Sequence, residues 1–117
     1  RAPSPLLAWA LARIEASRGQ VAVDGLAKEA GVSRKHLAGL FRRQVGLGPK
    51  ALARVHRFRA AVDLLAGRER VPWAELAQGC GYYDQSHLVR DFQAFSGFSP
   101  GAFLRQARAD GNAVVVR

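Results

Sequence analysis

Two segments of the chain carry side chains suited to binding a polyanion through hydrogen bonds. HLAGLFRRQVGLGP at 36–49 and HLVRDFQAFSGFSP at 87–100 share a His-Leu pair, Phe, Gly and Pro at identical spacing, 51 residues apart. The residues between these shared positions differ, and they include arginine and glutamine, whose side chains can donate hydrogen bonds to base edges or phosphate oxygens. The shared residues are therefore candidates for packing, and the variable polar ones are candidates for recognition.

The charge of the chain indicates what such side chains could bind. Lys plus Arg number 18 and Asp plus Glu number 9, which gives a net charge of +9 on 117 residues that are 49% hydrophobic. Residues 1–66 carry 12 basic and 4 acidic side chains, whereas residues 67–117 carry 6 and 5. A basic excess of this size on a chain of globular composition favours a polyanionic partner, nucleic acid first and an acidic membrane second.

Several other classes of function find no support in the sequence. The longest apolar run, LLAWALA at 6–12, is far shorter than the roughly 20 residues that cross a bilayer, so we expect a soluble protein with no membrane partner. The single cysteine, Cys80, offers neither a disulfide nor a metal frame, so no metal or other cofactor is expected and a reducing cytoplasm fits best. GLGPK at 46–50 lacks the Gly-Lys-Ser/Thr ending of a phosphate loop, and no catalytic constellation stands out, so we do not expect an enzyme.

The spacing of apolar residues predicts an all-α fold. Apolar residues recur at intervals of three and four, and no stretch shows the sustained two-residue alternation of a strand. We expect about seven helices in two helix-turn-helix subdomains joined by a central linker helix, as in homeodomain-like folds. The expected helices cover about 5–17, 23–30, 34–45, 49–66, 72–80, 85–96 and a final short stretch from about 99. Within the linker helix the expected buried face consists of Leu52, Val55, Phe58, Val62 and Leu65.

The expected domain organisation follows from these helices. RAPSPL has two prolines in its first five residues, so we interpret 1–4 as the end of a linker and the chain as the C-terminal part of a longer protein. The first subdomain is expected at 5–48, the linker helix at 49–66, the second subdomain at 67–107 and a tail at 108–117. Val114, Val115 and Val116 in that tail have no partner that the sequence identifies.

Each repeat predicts a helix-turn-helix, in which the second helix lies in the DNA major groove. Gly31 and Gly81 are placed to end the first helix of each unit, and Ser33 and Asp84 are placed to cap the second. Ala27 and Ala77 lie four residues before each glycine, where a small side chain allows close helix packing. Tyr82 and Cys80 are expected in the core of the second unit.

Two such units joined by one helix resemble the DNA-binding domain of the AraC/XylS family of bacterial transcription regulators. The segments that carry the resemblance are AKEAGVSRKHLAGLFRRQVGLGP, RFRAAVDLL and LAQGCGYYDQSHLVRDFQAFSGFSP. The resemblance covers about residues 5–106 and implies double-stranded DNA as the partner, with two recognition helices roughly 34 Å apart in successive major grooves of one DNA face. It also implies a contact with RNA polymerase and a separate effector or dimerisation domain.

Recognition helices contact bases through side chains near their N-terminal half, which selects two sets of candidates. Arg90 is the strongest, because arginine makes the commonest specific contact to guanine; its alternative is an ion pair with Asp84 or Asp91. Gly39 stands at the position equivalent to Arg90, so specificity in the first unit would depend on Arg34 and Lys35, or on a closer approach of the backbone at Gly39. The base candidates are Arg34, Lys35, Ala38, Gly39, Arg42, Gln85, Ser86, Val89 and Arg90.

A second group of residues is expected to contact phosphates, which fixes affinity and register without specifying sequence. These phosphate candidates are Ser33, Arg43, Lys50, Arg54 and Tyr83, with Arg59 nearby on the linker helix. The resemblance implies a structural role for Arg57 as an alternative to a phosphate contact. We expect His36 and His87 to pack or to bind phosphate rather than a metal.

Two alternatives remain open at this level. The nearly neutral second unit could be a protein-interaction module, which would leave a single DNA-binding unit. The whole domain could also bind DNA or RNA without a specific site, which competition by unrelated duplex and by single strands would reveal.

Overall fold

The computed structural model describes residues 4–65, 68 and 70–109, and within this part the chain forms seven α helices and no strand. The predicted all-α fold is thereby confirmed. No described helix is long and apolar enough to cross a membrane. The last residue of the predicted linker helix, Ala66, and the valines at 114–116 lie outside the described residues. The helices are α1 Pro5–Ala16, α2 Val23–Ala30, α3 Arg34–Gln44, α4 Pro49–Leu65, α5 Trp73–Gly79, α6 Gln85–Ser96 and α7 Pro100–Ala109.

Side-chain caps and left-handed glycines set where the second helix of each pair begins and where the first ends. Ser33 Oγ accepts a hydrogen bond from the His36 backbone N–H at 2.9 Å, and Asp84 Oδ1 accepts one from the His87 N–H at 2.8 Å. Gly31 has φ 71° at the end of α2 and Gly81 has φ 86° after α5, values that glycine adopts without a Cβ penalty. The start of the second helix is therefore set in the same way in both units, whereas α5 ends at Gly79, two residues before its left-handed glycine.

The chain divides into two compact units between His56 and Arg57, inside α4. The first unit contains α1, α2, α3 and the first part of α4. Its core consists of apolar residues at helical spacing, and α3 contributes three of them, so the inward face of that helix is fixed by packing. The buried residues are Leu7, Ala10, Ile14, Leu26, Ala27, Leu37, Leu40, Phe41 and Ala53.

The second unit contains the later part of α4 with α5, α6 and α7. Phe92 of α6 lies at its centre and makes edge-to-face contacts with Phe58 and Phe103, with ring centroids 4.9 Å and 5.5 Å away. Cys80 and Tyr82 are buried here, as expected from the sequence. The buried residues are Ala60, Ala61, Val62, Leu65, Leu76, Ala77, Cys80, Tyr82, Leu88, Phe92 and Leu104.

The buried face of α4 differs from the sequence-based expectation. Val62 and Leu65 are fully buried, but Leu52, Val55 and Phe58 are only partly buried. The most buried positions also include three alanines, Ala53, Ala60 and Ala61. Leu52 and Phe58 pack against the edges of the two cores instead of lying within them. The expected buried face was therefore right at Val62 and Leu65, only partly right at Leu52, Val55 and Phe58, and it missed the alanines.

Candidate nucleic-acid interface

The outward face of α3 is basic and lies opposite its packed face. Leu37, Leu40 and Phe41 are buried, and the remaining positions of the helix turn away from the core. Four of these outward side chains are cationic and exposed: Arg34, Lys35, Arg42 and Arg43. Ala38 and Gly39 lie between them and are partly buried because neighbouring long side chains cover them. The guanidinium and ammonium groups of such a surface can contact both base edges and phosphates.

Gly39 interrupts this surface in a specific way. A Cβ built at Gly39 would lie 3.1 Å from Arg43 NH1, so the guanidinium of Arg43 occupies the space that a side chain would fill. Together with Ser33 and His36, these residues line a shallow groove of about 450 Å³ that also includes Lys35 and Arg42. His36 is exposed in this groove, so it does not have the packing role that was one of its two expected roles, and its contact with phosphate stays a prediction.

A second groove, of about 420 Å³, lies on the other flank of α3, between the starts of α2, α3 and α4. We call it the Asp24 groove. Arg34, Lys35, Ala38, Arg42 and Lys50 line it, over an apolar base that includes Ala27, Leu37 and Pro49. Asp24 makes ion pairs there with Arg34 NH1 at 3.4 Å and with Lys50 Nζ at 3.5 Å. The sequence interpretation had not considered Asp24; only its position as the second residue of α2, close to the basic repeat, could have drawn attention to it.

The outward face of α6 is polar and carries one cation. Gln85, Ser86 and Arg90 are exposed, and Val89 is partly buried. Asp84 Oδ1 caps α6, and Asp91 is buried with 2% of its surface exposed. The ion pairs described for residues 4–65, 68 and 70–109 do not join Arg90 to either carboxylate, so the alternative expectation for Arg90 gains no support.

Tyr83 and His87 lie at the start of α6. Tyr83 is 93% exposed and stands immediately before the Asp84 cap, where its phenol faces solvent. The backbone N–H of Tyr83 donates a hydrogen bond to His87 Nδ1 at 3.4 Å, and the His87 ring contacts the edge of Tyr82 with centroids 5.1 Å apart. His87 thus packs within the second unit, unlike its repeat counterpart His36. In the part of the chain that the structure describes, no group of His, Cys, Asp and Glu could hold a metal ion.

The remaining phosphate candidates are distributed over α3 and α4. Ser33 is exposed and its hydroxyl oxygen accepts the capping hydrogen bond, which leaves the hydroxyl hydrogen available to donate. Lys50 is exposed beside Asp24, and Arg43, Arg54 and Arg59 are exposed as well.

Arg57 differs from these cations, because it belongs to a buried polar cluster in the second unit. Its Nε is buried and its guanidinium carbon lies 5.8 Å from the centroid of the Tyr82 ring. The Tyr82 hydroxyl oxygen and Asp91 Oδ2 are buried as well. Burial and the nearby Asp91 carboxylate raise the pKa of the Tyr82 phenol above its ordinary value. These contacts favour the structural role of Arg57 over a phosphate contact, and the buried aspartate in α6 is a feature that the sequence did not reveal.

Two helix pairs, each presenting an exposed polar helix face from a packed core, define a helix-turn-helix protein of the DNA-binding class. A helix-turn-helix domain model matches residues 26–106. The chain is similar to the DNA-binding domain of AdpA, a global transcriptional factor solved in complex with a target DNA, with 30% identity, a TM-score of 0.78 and coverage of 92% of this chain and 96% of that one.

Two further solved structures are similar over most of their length. The C-terminal domain of AraT, a response regulator from Geobacillus stearothermophilus, is 25% identical, with a TM-score of 0.80 and coverage of 91% and 88%. A probable AraC family transcriptional regulator from Rhodopseudomonas palustris CGA009 is 26% identical, with a TM-score of 0.73 and coverage of 89% and 98%. No curated protein sequence matches the chain. The chain belongs to the AraC/XylS family of DNA-binding transcription regulators, as its repeats had suggested.

Proposed function

We propose that this domain binds a specific site on double-stranded DNA through both helix-turn-helix units, with α3 and α6 in successive major grooves, and thereby controls transcription initiation. The observation that carries the proposal is that the two repeats share their caps and packed residues but present different polar side chains outward. The AdpA domain, bound to its target DNA, supports DNA as the partner. A contact with RNA polymerase, a separate effector or dimerisation domain and a cytoplasmic location complete this proposal.

In the first unit, Arg34 and Lys35 are the proposed base contacts, because they lie in the first turn of α3 with exposed side chains. Arg42 lies two turns further along the same helix, beside the Asp24 groove. Ala38 and Gly39 present little side chain, so the α3 backbone can approach the DNA closely once the flexible Arg43 side chain beside Gly39 turns to a phosphate. Ser33, Arg43, Lys50 and Arg54 would contact the flanking phosphates.

In the second unit, Arg90 is the proposed principal base contact, with Gln85, Ser86 and Val89 on the same face of α6. Arg90 is exposed on this face, and its planar guanidinium can make a bidentate contact to guanine. Such a contact discriminates against the wrong base by about 1–3 kcal/mol. Tyr83 would donate a hydrogen bond from its phenol to a phosphate.

A second candidate function is favoured by a different observation on the second unit. Phe95 and Phe98 are exposed near the C-terminal end of α6, and residues 67–117 have 6 basic and 5 acidic side chains. Exposed aromatic side chains with little net charge suit a protein partner better than DNA. In that case the first unit alone would bind DNA.

Selection from a random duplex library, followed by sequencing, tests these two functions directly. Wild type should select two sequence blocks about one helical turn apart, and Arg90→Ala should blur the block bound by α6 while leaving the other sharp. Arg70→Ala is the matched control, since it removes an exposed arginine of the same unit outside α6 and should blur neither block. A single block that Arg90→Ala leaves intact would support the protein-interaction function of the second unit, and no block at all would contradict specific binding.

A further inference from the structure

One carboxylate lies among the cations that the first recognition helix presents. Asp24 is in the first turn of α2, and its two oxygens reach the first residue of α3, Arg34, and the second residue of α4, Lys50, at 3.4 Å and 3.5 Å. The side chain of Asp24 is 50% exposed, and those of Arg34 and Lys50 are 75% and 71% exposed. One acidic group therefore partly neutralises two of the cations that line the Asp24 groove.

The second repeat shows that these three charges occur together. At the positions equivalent to Asp24, Arg34 and Lys50, the second unit has Ala74, Gln85 and Gly101, none of which is charged. The first turn of α5 does keep a carboxylate, Glu75, but one residue further along the helix. What the second unit lacks is therefore an acidic residue at the position that, in the first unit, meets Arg34 and Lys50.

We propose that Asp24 is a specificity-determining residue, which competes with DNA phosphates for Arg34 and Lys50 and so weakens binding to DNA that offers the correct charge without the correct bases. This inference rests on the proposed function of the domain as a specific DNA-binding protein. Exposed ion pairs of this kind are weak and exchange easily, so Asp24 does not lock the two cations. A phosphate that replaces it must, however, lie within a few ångströms of the Asp24 carboxylate, and the two negative charges repel.

A specific site avoids much of this cost because of the chemistry of arginine. The guanidinium has five N–H donors in a planar fork, so Arg34 can donate to a base edge while another of its N–H groups remains on Asp24. In that arrangement Asp24 orients Arg34 toward the base. Because Arg34 then binds a base and not a phosphate, it brings no phosphate close to the Asp24 carboxylate. Non-specific binding has no base contact of this kind, because there the cations must bind phosphates. The presence of Asp24 therefore affects non-specific DNA more than the specific site.

The same arrangement predicts the salt dependence of binding. Each phosphate neutralised by the protein contributes about −0.9 to the slope of log K against log salt concentration, since it releases a condensed counterion. While Asp24 is present, one of the two cations is already balanced by a protein charge. The Asp24→Asn substitution keeps the shape of the side chain and removes its charge. The salt dependence of binding to unrelated duplex should then become steeper, as if about one more counterion were released.

Glu29 provides a matched control. It lies in α2 like Asp24, and it pairs with an arginine, Arg13, at 3.1 Å between Oε2 and NH2, but neither residue lines a groove beside α3. Glu29→Gln changes the net charge by the same amount as Asp24→Asn. Any effect that the two substitutions share is a consequence of net charge, and any effect limited to Asp24→Asn belongs to the Asp24 groove.

The experiment measures the affinity of the 117-residue chain and its two variants for a selected duplex and for an unrelated duplex over a range of salt concentrations. Asp24→Asn should bind the unrelated duplex about fivefold more tightly, as expected from a repulsion between unit charges at a few ångströms in water. The selected duplex should change by less than about twofold, and the slope on unrelated duplex should steepen by about 0.9. Glu29→Gln should change the affinity for the two duplexes by the same factor. Asp24→Glu, which retains the carboxylate, should keep the wild-type preference for the selected duplex.

Other outcomes separate the failure of this inference from the failure of the proposed function. A wild-type chain with no preference for any duplex would overturn specific binding, while the salt slope of Asp24→Asn would still report on competition with phosphate. Equal tightening on both duplexes, matching Glu29→Gln, would overturn the competition. A lower unfolding temperature of Asp24→Asn with equal weakening on both duplexes would mean that Asp24 only stabilises the start of α2.

Discussion

Replacing Gly39 with alanine tests whether the backbone of α3 approaches DNA closely at Gly39. Gly39 lies in the middle of α3 and does not have a positive φ, so the helix can accept an alanine there. The added Cβ would lie 3.1 Å from Arg43 NH1, which is the far end of a flexible side chain and can move aside at little cost. Because alanine is favoured over glycine in a helix interior by about 0.5–1 kcal/mol, the free energy of unfolding should rise by up to about that amount.

The effect on DNA binding should have the opposite sign. A methyl group at Gly39, together with the displaced Arg43 guanidinium, would occupy space where the α3 backbone approaches the groove. Loss of one well-formed contact corresponds to about 1–3 kcal/mol, or roughly tenfold in affinity for the selected duplex. Gly39→Ala should therefore be more stable and bind less tightly, and those two changes rarely occur together in a substitution that merely damages a fold.

Thermal unfolding and duplex binding measure the two effects separately. For a chain of this size the stabilisation corresponds to a rise of about 3 °C in Tm. Gly79→Ala is the control, since a Cβ at the last residue of α5 would meet nothing within 4 Å, and it should leave DNA binding unchanged. Wild-type affinity in Gly39→Ala would refute the close approach of the backbone. A fall in Tm would refute the conclusion that Arg43 can move aside.

Two further predictions concern single hydrogen-bonding groups. Ser33→Ala removes the cap of α3, so it should lower the free energy of unfolding by about 1 kcal/mol and also weaken DNA binding. Ser33→Asp should keep the cap but still weaken DNA binding, because its charge repels a phosphate. Unfolding and duplex titrations of both variants measure these effects, and unchanged DNA affinity in Ser33→Asp would contradict the phosphate contact. The raised pKa of Tyr82 means that the folded protein holds the phenolic proton more tightly than the unfolded chain does. The contribution of Tyr82 to the free energy of unfolding should therefore be fully present below about pH 10 and decrease as the pH rises further. Denaturant titrations above pH 10 should show a smaller loss of unfolding free energy with pH in Tyr82→Phe than in wild type, whereas Tyr83→Phe, at an exposed position, should behave like wild type. The same pH dependence in both variants would contradict the role of Tyr82.

The helix boundaries were predictable because they depend on residues close together in the sequence. Ser33 and Asp84 cap the helices that they were expected to cap, and Gly31 ends α2 at the expected residue. These features need only the backbone of one turn and one side chain, so the sequence contains all the required information. The family was predictable from the resemblance of three segments to the AraC/XylS family, and the domain model over residues 26–106 confirms it.

Contacts between helices were harder to predict, because they depend on which atoms meet across the fold. The alanines of α4 were overlooked since hydrophobicity favours large residues, although Ala53, Ala60 and Ala61 are among the most buried residues of that helix. The burial of Asp91 was not predicted, because an aspartate is rarely buried and the sequence interpretation considered it only as a possible ion-pair partner of Arg90; the structure places its carboxylate close to Tyr82, which lies on the turn before α6. Asp24 was overlooked because its two ion pairs join three helices.

The buried aspartate has a consequence for the folding of a chain that contains the same helix pair twice. Tandem similar repeats can misassemble when a helix of one docks in the other. Leu40 and Asp91 occupy equivalent places in the two repeats, and both are buried. If α6 docked in place of α3, Asp91 would enter a core whose buried residues are all apolar. A buried charge without its partners costs about 3–5 kcal/mol, a large part of the stability of a typical domain. One polar position therefore distinguishes two otherwise similar helices and makes their exchange unfavourable.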